Sequence, residues 1–361
     1  DFIDEKYLDS VLKAGNSLLN DNYDPGSKVG LEESKFYLGV NWLENINRYG
    51  HAMTKRLYKK VGRHSFLPID FLTNILTKIE PDLVVTTNSP KSERAVLIAA
   101  ERVGIKSIRI DDLFFDDNLQ LEIKKKLGND YLTSIGSFLS SPTKICVMSE
   151  YTKSLYQEKK DTMLLSTDES DVIVTGQPIL DKIFSNPKFR LNKSGMKRSK
   201  KIFKLLWCQQ TGFSDERDSH ALLQNWLKST SLKNFELVIK FHPNTDLKKK
   251  KLIKSKFSNN ISSIKFEESD AEILNLIDSA DILIAQESTT MLEAHIMDTP
   301  SICIDPNRIR ENIPYCKSGV STRVSSVDEL ENLVISTLNL SHPKNWALSN
   351  PLGIRTDGTK N

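Results

Sequence analysis

Short apolar runs alternate with amphipathic segments along most of this chain. In the first half, each run rich in β-branched residues is followed by a turn and then by a segment of helical period. One such segment, residues 92–104, gathers its apolar residues on one face and ends at Gly104. Repeats of this kind are typical of βαβ units and parallel sheets. The strands predicted in this half are residues 82–87, 106–110, 144–149 and 171–176.

The same pattern restarts after residues 191–201, a Lys- and Arg-rich stretch with the composition of an interdomain linker. The strands predicted beyond it are residues 202–208, 236–241, 263–268, 281–286 and 300–305. We therefore predict an α/β protein with two Rossmann-like parallel-sheet domains, residues 1–190 and 191–345, and a short C-terminal segment, residues 346–361. The chain is mostly helical before residue 80, so the N-terminal sheet is expected to lack its first strands.

Composition narrows the class of protein. The chain has 361 residues, of which 39% are hydrophobic and 27% charged, a composition typical of globular proteins. This length exceeds the usual size of a domain with a single hydrophobic core. Its net charge is only +3, and the basic residues are dispersed, so no nucleic-acid partner is predicted. The densest basic run, Lys248 to Lys251, is interpreted as a solvated helix face, with contact to an anionic acceptor or a membrane surface as the alternative.

Cysteine usage and hydropathy give an expected location. The four cysteines have no CxxC spacing, and three of them lie in or at the ends of apolar runs, which fits a reducing compartment. No stretch approaches the ~20 apolar residues that span a bilayer. We expect a cytoplasmic protein, with peripheral association at the inner face of the membrane as a further option. Because the chain begins at Asp1 and not at Met, we also expect further domains in a longer protein.

Residues that follow the predicted strands are the first candidates for chemistry, because ligands bind beyond the carboxyl ends of parallel strands. After strand 281–286, the residues Ser288, Thr289 and Thr290 begin a predicted helix. Hydroxyl groups and free N–H groups at a helix N-terminus favour a phosphate, although an ordinary N-cap has the same pattern. Glu293, one turn later, is placed to bind a ribose diol or simply to support the first turn.

A second candidate follows strand 236–241 in the stretch "IKFHPNTD". We expect this strand to lie close to the strand that precedes the Ser/Thr loop, so that His242 faces the same pocket. A protonated or N–H-donating imidazole there would stabilise charge on a leaving nucleotide. Pro243 fixes the turn and prevents the strand from continuing. The alternative is a structural histidine beside a turn.

Taken together, these motifs resemble the GT-B superfamily of nucleotide-sugar glycosyltransferases and the related sugar epimerases. The "VTGQP" stretch within residues 149–184 is similar to the end of their N-terminal domain, and "IKFHP" is similar to their K-x-H-P element. Residues 276–305 are similar to their Ser/Thr–Glu-Ala element, and residues 350–361 to the approach to their final crossover helix. The order of the elements is the family order. The resemblance is greatest to bacterial capsule and lipopolysaccharide enzymes, namely sialyl-, Kdo- and CDP-glycerol-type transferases.

The resemblance implies an inverting, metal-independent transferase with a nucleotide-sugar donor, from a CMP-sugar or another NDP-sugar, and a glycan or lipid-linked glycan acceptor. The donor is a substrate, and no cofactor or metal is predicted. Asp111 or Asp112 is the predicted base on the acceptor hydroxyl, with turn capping as the alternative, while His242 assists phosphate departure. Asp116 and Asp117 lack further ligands at metal-binding spacing. The nucleotide-binding residues implied are Gln209, Gln210, Lys240, His242, Pro243, Ser288, Thr289, Thr290 and Glu293.

Two other functions stay open. One is a UDP-GlcNAc 2-epimerase-like isomerase or hydrolase, although such enzymes usually have Gly-Gly where Thr289 and Thr290 stand here. The other is a GT-B module without activity that binds a glycan or a partner protein. The sequence specifies neither the sugar nor the acceptor.

Overall fold

The chain divides into two compact units, Asp1–Thr175 and Gly176–Asn361. The computed structural model describes residues 3–19, 29–87, 91–111, 142–158, 171–186, 202–211, 215–258, 263–309, 314–339 and Ile354. The predicted domain boundary at residue 190 and the linker 191–201 lie outside the described residues, as does the C-terminal segment 346–361 apart from Ile354.

Unit 1 begins with three helices, as the mostly helical pattern before residue 80 predicts. They are α1 (Glu5–Asn16), α2 (Leu31–Val61) and α3 (Ile69–Ile79), with a short 3₁₀ turn, Gly62–Ser65, after α2. Asp4 caps α1 by accepting a hydrogen bond from the backbone N–H of Lys6 at 2.7 Å. The first two helices cross very closely, because glycines lie at their contact. A Cβ at Gly15 would overlap the carbonyl oxygen of Lys35, and one at Gly39 would overlap that of Val11.

The sheet of unit 1 has four described parallel strands in the order β1-β2-β3-β4. They correspond to the four predicted strands; β2 has the predicted bounds and the other three are slightly shorter. Helix α4 (Lys91–Arg102) follows β1, and helix α5 (Glu150–Glu158) follows β3. A small apolar cluster joins Tyr156 of α5 to residues of β3 and β4. The strands are β1 (Leu83–Thr86), β2 (Lys106–Ile110), β3 (Lys144–Val147) and β4 (Val172–Val174).

Unit 2 contains a six-stranded parallel sheet in the order β10-β9-β8-β5-β6-β7. The chain runs outward from β5 to β7, returns to the other side of β5 at β8, and then runs outward to β10. The strands are β5 (Phe203–Cys208), β6 (Phe235–Lys240), β7 (Ile264–Glu267), β8 (Ile282–Ala285), β9 (Ser301–Ile304) and β10 (Thr322–Val324). The helices are α6 (Asp181–Ser185), α7 (Glu216–Ser229), α8 (Leu247–Ser258), α9 (Ile273–Ser279), α10 (Thr290–Ile296), α11 (Pro314–Lys317) and α12 (Val327–Asn339), and a 3₁₀ turn, Pro178–Leu180, precedes α6.

This strand order creates a topological switch point between β5 and β8. Every residue of β8 and β9 is buried, as expected for central parallel strands covered on both faces. The core of unit 2 is built around Trp207 of β5 and Trp226 of α7, which are both 1% exposed or less. Strand β10, at one edge of the sheet, was not predicted, because a three-residue strand with a central Arg323 has no apolar run.

The strands that lead to His242 and to the Ser/Thr loop are separated by one strand in the sheet. The sequence places β6, which leads to His242, close to β8, which leads to the Ser/Thr loop. In the sheet the two strands are not adjacent, because β5 lies between them and pairs with both. The loop after β5 therefore lies between the His242 loop, which follows β6, and the Ser/Thr loop, which follows β8.

Candidate functional site

The predicted nucleotide-binding residues all lie in unit 2, at the carboxyl ends of three adjacent strands. Gln209 and Gln210 follow β5, and Lys240 is the last residue of β6, with His242 and Pro243 just beyond it. Ser288, Thr289, Thr290 and Glu293 follow β8. These strand ends flank the switch point, which is where open parallel sheets bind ligands.

His242 is held as a neutral hydrogen-bond donor. Its Nδ1 accepts a hydrogen bond from the backbone N–H of Asn244 at 3.1 Å, so the proton of the neutral ring is on Nε2. Partial burial lowers the pKa of His242, and the positive charge of Lys240 lowers it further. Of the two forms that the sequence allows, the geometry favours the N–H-donating imidazole over the imidazolium ion. Pro243 is exposed at the turn.

Lys240 supplies the positive charge of the site. Its side chain is largely buried, at 8% exposure for the residue, and Nζ donates to the carbonyl oxygen of Ser269 at 3.0 Å. The same charge acts on His242, Cys208 and Glu293. Lys240 is thus an electrostatic link between the end of β6 and the helix that follows β8.

Glu293 is a buried carboxyl group on α10. Burial raises its pKa to about 7, nearby Glu272 adds to the shift, and Lys240 opposes it. Its Oε2 is buried and has no hydrogen-bond partner among the described residues. A half-protonated carboxyl group of this kind can either donate to or accept from a ligand at neutral pH.

The hydroxyl groups of the Ser/Thr loop bind one another. Ser288 Oγ accepts from the backbone N–H of Thr290 at 3.3 Å and from Thr290 Oγ1 at 2.9 Å. Thr290 also hydrogen bonds to the thiol of Cys208, whose pKa is raised to about 12, mainly by burial. Helix α10 has only seven residues, and Thr289 at its N-cap makes no side-chain capping bond. Ser288 lies one residue before the N-cap and bonds to Thr290 within a turn, so N-capping and phosphate binding by this loop both stay predictions.

The two glutamines after β5 bridge the strand ends. Gln209 Oε1 accepts from Thr245 Oγ1 at 2.9 Å and from the backbone N–H of His242 at 3.5 Å. Gln210 Oε1 accepts from the backbone N–H groups of Gln286 and Glu287, at 3.1 and 2.6 Å. Both glutamines are more than nine-tenths buried. They thereby connect the His242 loop, the end of β5 and the loop after β8.

Asp111 lies in unit 1, directly after β2, and is only 5% exposed. Its Oδ1 accepts from Arg109 Nε at 2.7 Å, and its Oδ2 accepts from the hydroxyl of Tyr156. Burial and the charge of Asp111 raise the pKa of Tyr156, which keeps its hydroxyl protonated. Asp111 is therefore fixed in orientation, with both oxygens already bonded. The other acidic candidates, Asp112, Asp116 and Asp117, lie outside the described residues.

Several residues of these networks were given no role in the site from the sequence. Thr245 follows the His-Pro turn, so its position after a strand could have indicated it. The contacts of the others depend on tertiary structure: Glu216 Oε1 is 3.4 Å from Gln209 Nε2, and Lys249 Nζ is 2.5 Å from Glu216 Oε2. Arg109 and Tyr156 meet Asp111 from different elements, and no local pattern pairs them.

The basic run on α8 is partly neutralised within unit 2. Lys249 pairs with Glu216, and Lys250 pairs with Glu268 at 2.7 Å. Among the described residues, no group of three or more His, Cys, Asp or Glu side chains could hold a metal ion. Within the same ranges, no helix combines the length and the apolar character that a membrane crossing requires.

Comparison with known proteins was made by sequence and by structure. No protein-family model matches the sequence, and no curated protein matches it significantly. S. aureus MnaA, solved with UDP, aligns with a TM-score of 0.55 over 81% of this chain and 75% of its own, at 13% identity. The Neisseria meningitidis UDP-GlcNAc 2-epimerase, solved with UDP-GlcNAc, gives 0.52 over 81% and 77%, at 16% identity. Anabaena HepE, solved with UDP and glucose, gives 0.51 over 81% and 80%, at 10% identity.

The chain has the fold of these proteins. At such low identities the likeness concerns the fold and not the activity. The predicted fold class, two Rossmann-like parallel-sheet units of the GT-B type, is confirmed. The capsule or lipopolysaccharide type of transferase stays a prediction.

Proposed function

We propose that this protein is an enzyme acting on a nucleotide-activated sugar, and that unit 2 binds the nucleotide. The main observation in support is that Lys240, His242 and Gln210 all lie at strand ends around the switch point between β5 and β8. One positive charge and two neutral donors on adjacent strand ends suit the oxygens of a phosphate or diphosphate. The three solved proteins reported above were crystallised with UDP or a UDP-sugar, which makes UDP the first nucleotide to test.

The proposed reaction is glycosyl transfer with inversion, in the synthesis of a bacterial surface polysaccharide. His242 donates its Nε2–H to a phosphate oxygen of the departing nucleotide, and Lys240 stabilises the same charge. A carboxylate of unit 1, Asp111 or Asp112, removes the proton of the acceptor hydroxyl. The carboxyl group of Glu293 binds the ribose. The acceptor is a glycan or a lipid-linked glycan, and the donor is a CMP-sugar or another NDP-sugar.

A second candidate is UDP-GlcNAc 2-epimerisation or the related hydrolysis. It is favoured by the fold likeness to the Neisseria enzyme, whose bound ligand is UDP-GlcNAc. Against it, Thr289 and Thr290 occupy the positions where the epimerase pattern has two glycines. The Thr290 hydroxyl is hydrogen bonded to Ser288, a contact that glycine cannot make.

Incubation with UDP-GlcNAc in the absence of acceptor separates the two reactions. A 2-epimerase converts UDP-GlcNAc into UDP-N-acetylmannosamine without releasing UDP, and a hydrolysing enzyme of this type uses water to release UDP and N-acetylmannosamine. A transferase leaves most of the donor intact until an acceptor glycan is added. Nucleotide release and sugar products are measured by chromatography and NMR, with CMP-sialic acid and CDP-glycerol run in parallel. Nucleotide binding without turnover of any donor, with or without acceptor, would instead support a binding module.

A further inference from the structure

Gln209 and Gln210 are consecutive, but the orientation of each carboxamide is fixed separately. The partners of Gln209 Oε1 are the Thr245 hydroxyl and the His242 backbone N–H, and those of Gln210 Oε1 are two backbone N–H groups. A backbone N–H can only donate, so in both residues the carboxamide oxygen must face these partners. The NH₂ group of each side chain consequently points the other way.

The NH₂ groups of the two side chains differ in their hydrogen-bond acceptors. Gln209 Nε2 donates to the carbonyl oxygen of Gln210 and lies 3.4 Å from Glu216 Oε1, so its carboxamide is satisfied at both ends. No described residue accepts a hydrogen bond from Gln210 Nε2. Gln210 is 8% exposed as a residue, but its Nε2 is not among the described atoms that are fully buried without a partner, so the NH₂ group remains accessible at the end of a central strand.

The place of Gln210 determines what its NH₂ group can bind. Its oxygen is fastened to Gln286 and Glu287, directly before the Ser/Thr loop, so the side chain spans the switch point. The neutral imidazole of His242 and the charge of Lys240 lie at the end of the next strand. Donors and a positive charge gathered at one place favour an anionic oxygen over a neutral base edge.

We propose that Gln210 binds the nucleotide directly, by donating from its NH₂ group to a phosphate oxygen, and that Gln209 is a positioning residue for the His242 loop. The assignment rests on the proposed nucleotide binding by unit 2. It separates two residues that the sequence treats alike. It also makes the loop after β5 part of the phosphate site.

The test is Gln210→Glu, which keeps an oxygen for the two backbone N–H groups and replaces only the NH₂ group. Binding of UDP and uridine is measured by calorimetry on the wild type and the variant, with CMP and cytidine in parallel. We expect UDP to bind at least tenfold more weakly to the variant, and uridine to bind as it does to the wild type. Asn225→Asp adds the same charge at an exposed residue of α7 and should change neither affinity.

Unchanged UDP binding by Gln210→Glu would overturn the inference but leave the proposed function standing. An equal loss of UDP and uridine binding would also overturn it, because it would indicate a disturbed loop. Absence of nucleotide binding by the wild type would overturn both. The role of Gln209 is tested by a cycle with His242→Ala: if Gln209 acts through His242, Gln209→Ala weakens UDP binding in the wild type but not in His242→Ala.

Discussion

At the scale of single residues, Glu293 links the candidate site to stability. Its carboxyl pKa is raised from 4.5 to about 7, mainly by burial. Between these two pH values the folded chain retains a proton that the unfolded chain has released. The free energy of unfolding therefore falls as pH rises through this interval. Above pH 7 the folded state bears the full free-energy cost of the ionised, buried carboxyl group.

Glu293→Gln removes this pH dependence, because glutamine does not titrate. We expect the variant to gain about 3 kcal/mol of stability relative to the wild type between pH 5 and pH 8, since one pKa unit corresponds to about 1.4 kcal/mol. Urea unfolding at the two pH values measures the difference. Asp328→Asn, which neutralises an exposed carboxylate on α12, serves as the control. A difference between Glu293→Gln and wild type that does not change with pH would contradict the assignment.

Individual site residues could be predicted only where a strand end identifies them. His242, Lys240 and the Ser/Thr loop were recognised because each adjoins an apolar run. The different hydrogen-bond partners of Gln209 and Gln210 could not be predicted, because they depend on which loops flank β5. Likewise, nothing in the sequence near Asp111 indicates that Tyr156, 45 positions later, bonds to its second oxygen.

At the scale of secondary structure, the closest helix contact in unit 1 depends on glycine. Gly15 of α1 and Gly39 of α2 each face a backbone carbonyl oxygen of the other helix. A helix residue can approach a carbonyl oxygen of the other helix this closely only if it lacks a Cβ atom. Val11, whose carbonyl oxygen faces Gly39, is itself fully buried.

Gly39→Ala should separate the two helices, because the new methyl group would overlap the carbonyl oxygen of Val11. We expect a loss of about 3 kcal/mol in the free energy of unfolding of unit 1, the upper part of the usual cost of overpacking. Thermal unfolding followed by circular dichroism measures it. Gly30→Ala is the matched control, since a Cβ at Gly30 meets nothing within 4 Å. Equal stabilities of the two variants would contradict the packing described.

The elements themselves were largely predictable from their periodicity. Nine of the ten described strands begin and end within two residues of the apolar runs that indicate them. Strand order was less accessible, because the pairing of β5 with both β6 and β8 is a long-range property. The sequence did not indicate that β5, which precedes both strands in the chain, lies between β6 and β8.

At the scale of the whole molecule, two parallel-sheet units are combined in one chain, and their described networks differ. Unit 2 holds neutral and positive donors at its switch point, whereas unit 1 holds Asp111 between Arg109 and Tyr156. The fold class followed from the alternation of strands and helices, since that pattern leaves few architectures open. The choice of nucleotide, sugar and acceptor could not follow from it, because one fold serves many reactions.

Nucleotide binding by unit 2 is the central claim, and calorimetric titration of the whole chain with UDP, CMP, CDP and GDP tests it most directly. We predict that one of these nucleotides binds to the wild type and at least tenfold more weakly to His242→Ala, because the variant lacks the Nε2–H donor. His51→Ala, which removes an exposed histidine of α2 in unit 1, should bind like the wild type. Failure of all four nucleotides to bind to the wild type, or equal binding to His242→Ala, would contradict the account.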